Sequence, residues 1–219
     1  MSLFDDITII IVCYKSHSLI KKNLNIIKKF KTILVDNSNC EDTQLLVKNH
    51  KSIIYIKTSK NFGYGKANNI GVNRSNTKYV LILNPDILID EISINNLYKK
   101  AINYENFGIL APSLYDENNL RRTNGSRSIL KRKIFTNFST GSNFSTGDTC
   151  YDFIIGCAFL IKRQFFIDIG SFDENFFMYF EDNDLCDRVY YNNFTVIEVP
   201  SSKMIHMQGE SSNINLFVK

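Results

Sequence analysis

The first hundred residues alternate short apolar runs, rich in β-branched residues, with longer polar segments of helical spacing, and this rhythm is what most limits the fold. Ile7 to Tyr14 (ITIIIVCY), Thr32 to Val35 (TILV), Ile53 to Ile56 and Tyr79 to Leu83 (YVLIL) are short and almost wholly apolar, as expected of strands buried on both faces. Between the first two, Leu19, Ile20, Leu24, Ile27 and Phe30 recur at helical spacing behind an N-cap at Ser16 or Ser18. Further helices are expected from Glu41 and over Lys66 to Arg74. Connections of this length exclude hairpins and imply right-handed crossovers in a mainly parallel sheet. The expected class is therefore α/β, a Rossmann-like sheet flanked by helices. Ligands of such sheets bind beyond the carboxyl ends of the strands, where this chain places Lys15, Asp36-Asn37-Ser38 and Asn84-Pro85-Asp86.

The second half is less regular. A helix is expected over Ile92 to Tyr104, a strand over Gly108 to Ala111, and a helix around Arg163 to Ile169. From Pro112 to Thr149 the chain is polar, basic and poor in periodicity, the character of either a functional lid or a disordered segment. Order returns at Phe153 to Ile161 (FIIGCAFLI), and the run FFMYFEDNDLCDRVYY from Phe176 to Tyr191 enters a helix. No linker separates two folding units, so the 219 residues are expected to form a single domain in three stretches, 1–111, 112–149 and 150–219.

Composition narrows the class further. With 44% hydrophobic and 22% charged residues the chain is not disordered. Its longest apolar runs fall well short of the roughly 18 residues of a membrane span. Asp5 and Asp6 stand where a secretory signal would be basic, so a cytoplasmic location is expected. Cys13, Cys40, Cys150, Cys157 and Cys186 are odd in number and scattered, which reads as free, mostly buried thiols. A net charge of +4 does not call for nucleic acid. Its local clusters, Lys21, Lys22, Lys28, Lys29 and Lys31, and Arg121, Arg122, Arg127, Lys131, Arg132 and Lys133, suit either a solvated face or an anionic membrane surface.

Four segments could carry chemistry. Asn84-Pro85-Asp86 ends a strand and is either a plain turn or the carboxylate of a Mg²⁺ or Mn²⁺ site, since such an ion needs one or two carboxylates when phosphates complete its shell. Asn61-Phe62-Gly63-Tyr64-Gly65 has the G-x-G spacing of a dinucleotide loop, but Asn68 holds the third position, where a small residue is required. It can still present backbone donors to a polar ligand. Glu181, Asp182 and Asp184 complement a helix N-terminus, with Asp182 able to cap and Asp184 able to pair with Arg188. Aromatic residues run directly into them, so one of these acids could equally be a buried base. His206 follows the last apolar segment and is either structural or a ligand.

In their order and spacing, IVCYKS at 11–16, VDNSNCED at 35–42, NFGYGKANNIG at 61–71, LNPD at 83–86, IGSFDENFFMYFEDNDLCDRVY at 169–190 and IHMQGES at 205–211 resemble the family 2 glycosyltransferases of GT-A fold, and within them the rhamnosyltransferase-like bacterial enzymes. The resemblance implies a nucleotide-binding half (1–111), an acceptor-side lid (112–149) and a catalytic and acceptor half (150–219). It implies donor contacts from Tyr14, Asp36, Asn61, Gly63, Gly65, Asn69, Asn84 and Asp86, a Mg²⁺ or Mn²⁺ held by Asp86 and His206, and Asp182 as general base with Glu181 the alternative. Asn84 replaces the Asp that opens the family's DXD-type motif, and Asn193 replaces a Gly before Phe194, which Asn tolerates at positive φ. The implied reaction is inverting transfer from a dTDP- or UDP-sugar, rhamnose included, to a saccharide or lipid-linked hydroxyl in bacterial surface polysaccharide synthesis. Work at the inner face of the membrane by peripheral association would suit it. Two other classes compete: a non-catalytic glycan- or nucleotide-sugar-binding member of the same fold, and a sugar-nucleotide nucleotidyltransferase. The latter usually has a glycine loop after its first strand, where this chain has Tyr14-Lys15-Ser16-His17.

Overall fold

A computed structural model describes residues 2–126 and 144–207. After a short helical turn α1 (Leu3–Asp6), the first half runs β1 (Ile7–Cys13), α2 (His17–Ile27), β2 (Lys31–Asp36), α3 (Glu41–Val47), β3 (Ile53–Lys57), α4 (Tyr64–Arg74) and β4 (Tyr79–Leu83). The expected strands match to within one residue and the expected helix starts to within two, but the helix expected to carry Phe30 ends at Ile27: the Lys29 and Phe30 N–H groups bond carbonyls three residues back, and Phe30 is buried in the turn before β2. Next come β5 (Ile87–Leu88), α5 (Glu91–Asn103), β6 (Phe107–Tyr115), β7 (Arg121–Arg122) and β8 (Gly125–Ser126). The chain resumes with β9 (Thr149–Tyr151), β10 (Phe153–Ile154), β11 (Ala158–Lys162), α6 (Arg163–Asp168), α7 (Glu181–Tyr191) and β12 (Thr195–His206).

The main sheet has the order β3-β2-β1-β4-β11-β6-β12-β5. Its first four strands are parallel, as the alternating pattern predicts. The remainder is mixed: β11 is antiparallel to both β4 and β6, while β12 runs parallel to β6. "Mainly parallel" therefore describes the first half alone. Strand direction in the second half depends on long-range pairing, which apolar runs do not encode.

Side chains alternate across the sheet with the two-residue period of a strand. Ile9, Ile11, Leu34, Leu81 and Leu83 join one buried layer with Ile20, Leu97 and Phe107. Ile10, Ile33, Val80 and Ile82 join the opposite layer with Ala67, Phe166, Phe172 and Leu185. Both faces are thus covered, which is why β1 and β4 read as unbroken apolar runs.

The strand expected to stop at Ala111 continues to Tyr115 through Pro112. Its pairing with β11 extends only to Leu110, so the missing Pro112 N–H interrupts no ladder on that side. The described parts of the expected lid, 112–126 and 144–149, hold the end of β6, the short strands β7 and β8, and the start of β9. Residues 127–143 of it, with Arg127, Lys131, Arg132 and Lys133, lie outside the described residues, as does the end of the IHMQGES segment. Arg121 and Arg122, taken as part of a basic face, pair with Glu198 and Asp116. Cys13, Cys157 and Cys186 are buried free thiols, whereas Cys150 is exposed. Asn193 takes φ +62°, the conformation in which Asn can stand for Gly.

Candidate active site

The chain leaves β1 for β2 and β3 on one side, then returns to β4 on the other, so β1 and β4 flank a topological switch point. β11 starts where β4 ends, because the antiparallel register sets Ala158 opposite Leu83. Gly156 and Cys157 consequently arrive beside the Asn84-Pro85-Asp86 turn. The Asn84 N–H donates to the Cys157 carbonyl at 2.7 Å. One residue earlier, the Gly156 N–H donates to Asp182 Oδ2 at 2.8 Å. Burial pushes the Cys157 thiol up, and the charges of Asp86 and Asp182 push it further, as expected of a residue lying between two carboxylates.

The far end of the chain closes the same corner. β12 pairs with β5 so that His206 faces Ile87, and the Met207 N–H donates to the Asp86 carbonyl at 2.9 Å. His206 Nε2 lies 3.5 Å from Asp86 Oδ2, and Asp86 is only 1% exposed. One carboxylate and one imidazole fit Mg²⁺ or Mn²⁺ whose other positions fall to water and diphosphate oxygens. Among the described residues no group of three or more His, Cys, Asp or Glu is placed to hold a metal unaided. Among the described residues the buried Asn84 Oδ1 has no hydrogen-bond partner.

The acidic helix α7 begins with strain. Tyr179 and Phe180 both hold positive φ, +71° and +70°, and Phe180 occupies the N-cap without a side-chain cap. Asp182 does not cap, contrary to one reading of the sequence; its Oδ1 accepts from the Asn183 N–H at 2.9 Å and its Oδ2 goes to Gly156. Asp184 and Arg188 do form the expected i,i+4 pair, at 2.5 Å. Glu181 is buried, and among the described residues its Oε2 has no hydrogen-bond partner. Burial holds its carboxyl above the usual carboxylate range, the adjacent Asp182 charge acts in the same direction, and its own backbone N–H opposes both.

The glycine loop is fastened to the segment that leads into this helix. Gly63 has φ +83°, and a Cβ there would sit 2.1 Å from the Phe177 carbonyl oxygen, so only glycine fits. The same oxygen accepts from the Tyr64 N–H at 3.0 Å. Asn61 Oδ1 accepts from the Gly63 N–H at 3.0 Å, and Gly65 passes close to the Phe172 Cβ.

Two expected donor contacts are occupied otherwise. Asp36 is fully buried. Its carboxylate accepts from the Ser38 N–H and hydroxyl at 2.7 Å, the Cys40 N–H at 3.0 Å and the Tyr55 hydroxyl at 2.6 Å. It shapes the β2–α3 loop. The Asn69 amide bridges the Phe172 backbone, donating to its carbonyl at 2.9 Å and accepting from its N–H at 3.0 Å. Tyr14 stands half-buried after β1, its backbone paired with Ser16 Oγ. Tyr64 and Gly156 were not singled out from the sequence. The one available signal was a glycine interrupting the apolar run FIIGCAFLI.

The pattern of the family described as Glycosyl transferase family 2 matches residues 8–170, and one described as N-terminal domain of galactosyltransferase matches residues 136–210. A low-salt glycan biosynthesis hexosyltransferase of Haloferax volcanii is 30% identical over 94% of this chain and 69% of its own. An N-acetylglucosaminyl-diphospho-decaprenol L-rhamnosyltransferase of Mycobacterium tuberculosis is 26% identical over 82% of this chain and 67% of its own. The Escherichia coli rhamnosyltransferase WbbL is 28% identical over 90% and 82%. Among solved structures, a Pyrobaculum calidifontis mannosyltransferase in complex with GDP-Man and Mn²⁺ superposes with TM-score 0.68 at 15% identity, over 94% of this chain and 58% of that one. S. aureus TarS 1-349 with UDP-GlcNAc gives TM-score 0.68 at 15% identity, over 94% and 60%. The chain thus spans somewhat over half the length of these two structures, which share its GT-A fold. With the family pattern extending over most of its residues and rhamnosyltransferases among its relatives, this chain belongs to glycosyltransferase family 2.

Proposed function

We propose that this chain is an inverting glycosyltransferase that moves a hexose-type sugar, rhamnose included, from a dTDP- or UDP-sugar to a hydroxyl of a saccharide or lipid-linked acceptor. The observation that carries this reading is the junction at Gly156-Cys157, where adjacent residues hold Asp182 and the turn bearing Asp86. A base and a diphosphate-side acid are thereby fixed to one strand end.

In this reading residues 1–111 receive the nucleotide, and residues 150–207 supply the base and His206. Asp182 accepts the proton of the acceptor hydroxyl as that oxygen attacks the anomeric carbon from the face opposite the leaving diphosphate. The Gly156 N–H keeps the carboxylate aimed, while the buried, proton-favouring Glu181 is the weaker candidate for the base. Asp86 and His206 would hold Mg²⁺ or Mn²⁺, which when bound offsets negative charge on the leaving nucleoside diphosphate. The names of the relatives support the direction: one acts as a rhamnosyltransferase on a decaprenol-linked sugar, and two structural neighbours contain Mn²⁺. No described helix is long and apolar enough to cross a membrane. Contact with a lipid-linked acceptor is read as peripheral association at the inner membrane face.

The test is calorimetric binding of UDP-, dTDP- and GDP-sugars with and without Mn²⁺, followed by release of nucleoside diphosphate with water as acceptor. Binding of one donor with slow hydrolysis is expected. Absence of hydrolysis by a donor that binds would sink the catalytic reading.

A further inference from the structure

Tyr64 is the first residue of α4, directly inside the glycine loop, yet its side chain leaves that loop. Its hydroxyl donates to the Gly156 carbonyl at 2.6 Å. On the other side of the same Cα, the Gly156 N–H donates to Asp182 Oδ2 at 2.8 Å. Gly156 is therefore gripped at both ends, once by the glycine loop and once by the acid. No side chain could occupy this point, since a Cβ on Gly156 would lie 2.8 Å from the Asp182 Cβ and 3.3 Å from Oδ2. The Tyr64 N–H holds the Phe177 carbonyl at 3.0 Å, so Tyr64 also fixes the segment entering α7.

We propose that Tyr64 and Gly156 are positioning residues for transfer, locking the Asp182 carboxylate to the loop that receives the nucleotide. The proposal rests on the reading of Asp182 as the base. A carboxylate at the first turn of a helix whose preceding residues are strained has few restraints of its own. The Tyr64–Gly156–Asp182 chain supplies one across 118 residues of sequence. Burial of Tyr64, together with the nearby Cys157, Glu181 and Asp182, pushes its phenol well above the usual tyrosine value, so it stays a hydroxyl donor throughout the working pH range.

The experiment compares wild type, Tyr64→Phe, Gly156→Ala and Asp182→Asn on the donor selected by the binding screen. Turnover is read as nucleoside diphosphate release, and affinity with UDP, dTDP and GDP in Mn²⁺. Tyr64→Phe keeps the ring, so it is expected to keep the melting temperature within a few degrees while lowering kcat roughly ten-fold, with KM and nucleotide affinity unchanged; small displacements of a catalytic group cost rate on this scale. Gly156→Ala, which presses on Asp182 directly, should show the same split more strongly. Unchanged kcat in Tyr64→Phe, or a loss of nucleotide affinity as large as the loss of turnover, overturns the positioning role and leaves the base assignment standing. Full turnover in Asp182→Asn removes the base assignment itself and the proposal with it.

Discussion

The Cys157 carbonyl accepts from the Asn84 N–H at 2.7 Å, one residue along from the Gly156 N–H that holds Asp182. Two acids 96 residues apart in sequence, Asp86 and Asp182, are therefore referenced to one strand end. Their relation is set by the β4–β11 register.

Asp182→Asn keeps the side-chain shape and the bond from Gly156 but removes the proton acceptor. Transfer is expected to fall by roughly 10² to 10⁴ with donor affinity nearly intact. Steady-state kinetics alongside titration calorimetry checks this, and a variant with wild-type kcat would remove Asp182 from the role.

Asp86→Ala is expected to abolish the difference in donor affinity between Mn²⁺ and EDTA. His206→Ala, which leaves the buried carboxylate in place, should reduce that difference by a smaller factor. Equal affinity of the wild-type protein in Mn²⁺ and in EDTA would speak against a metal held by this pair.

Asp36 accepts three hydrogen bonds from its own loop and one from the Tyr55 hydroxyl on β3, so its removal should be felt first as instability. Asp36→Ala leaves several buried donors unpaired and is expected to cost about 2–4 kcal/mol, against about 1 kcal/mol for Tyr55→Phe. Chemical denaturation measures both. A fully stable Asp36→Ala protein with lost nucleotide affinity would return Asp36 to the donor site.

Glu181 gives a pH signature of definite sign. Its folded carboxyl is raised by burial, so the folded state binds the proton more tightly than the unfolded state does. Its contribution to stability is complete below the unfolded value and is lost as pH rises through the folded one. At pH 7.5 the buried charge therefore costs stability, and Glu181→Gln should melt higher than wild type, with the difference vanishing below about pH 4. A Glu181→Gln protein that melts lower than wild type at pH 7.5 would contradict the burial argument.

Gly63→Ala must place a Cβ 2.1 Å from the Phe177 carbonyl oxygen at φ +83°. The loop has to move, and the Tyr64–Phe177 backbone bond is lost with it. A stability loss of about 2 kcal/mol or more is expected, with weakened nucleotide binding. Gly147, whose Cβ would meet nothing within 4 Å, is the control for a tolerated Ala.

Much of the fold was legible in the sequence because local physics encodes it. The runs ITIIIVCY and YVLIL are buried on both faces, and the periodicity behind Ser16 marks α2. The four parallel strands, the acids of α7 and the motif order behind the family resemblance follow from such patterns. The functions of individual polar side chains do not. The family resemblance implies donor contacts for Asp36 and Asn69, and each bonds a neighbour that only folding brings near: the Tyr55 hydroxyl for one, the Phe172 backbone for the other.

Sequence alone thus determined which segments are strands, which are helices, and that acids would gather at the carboxyl ends of a parallel sheet. The tertiary structure decided which acids share a corner, because that depends on β11 entering antiparallel beside β4 and on β12 carrying His206 back to Asp86. Strand direction and register are set by contacts between residues far apart in the chain. No periodicity within any one segment records them.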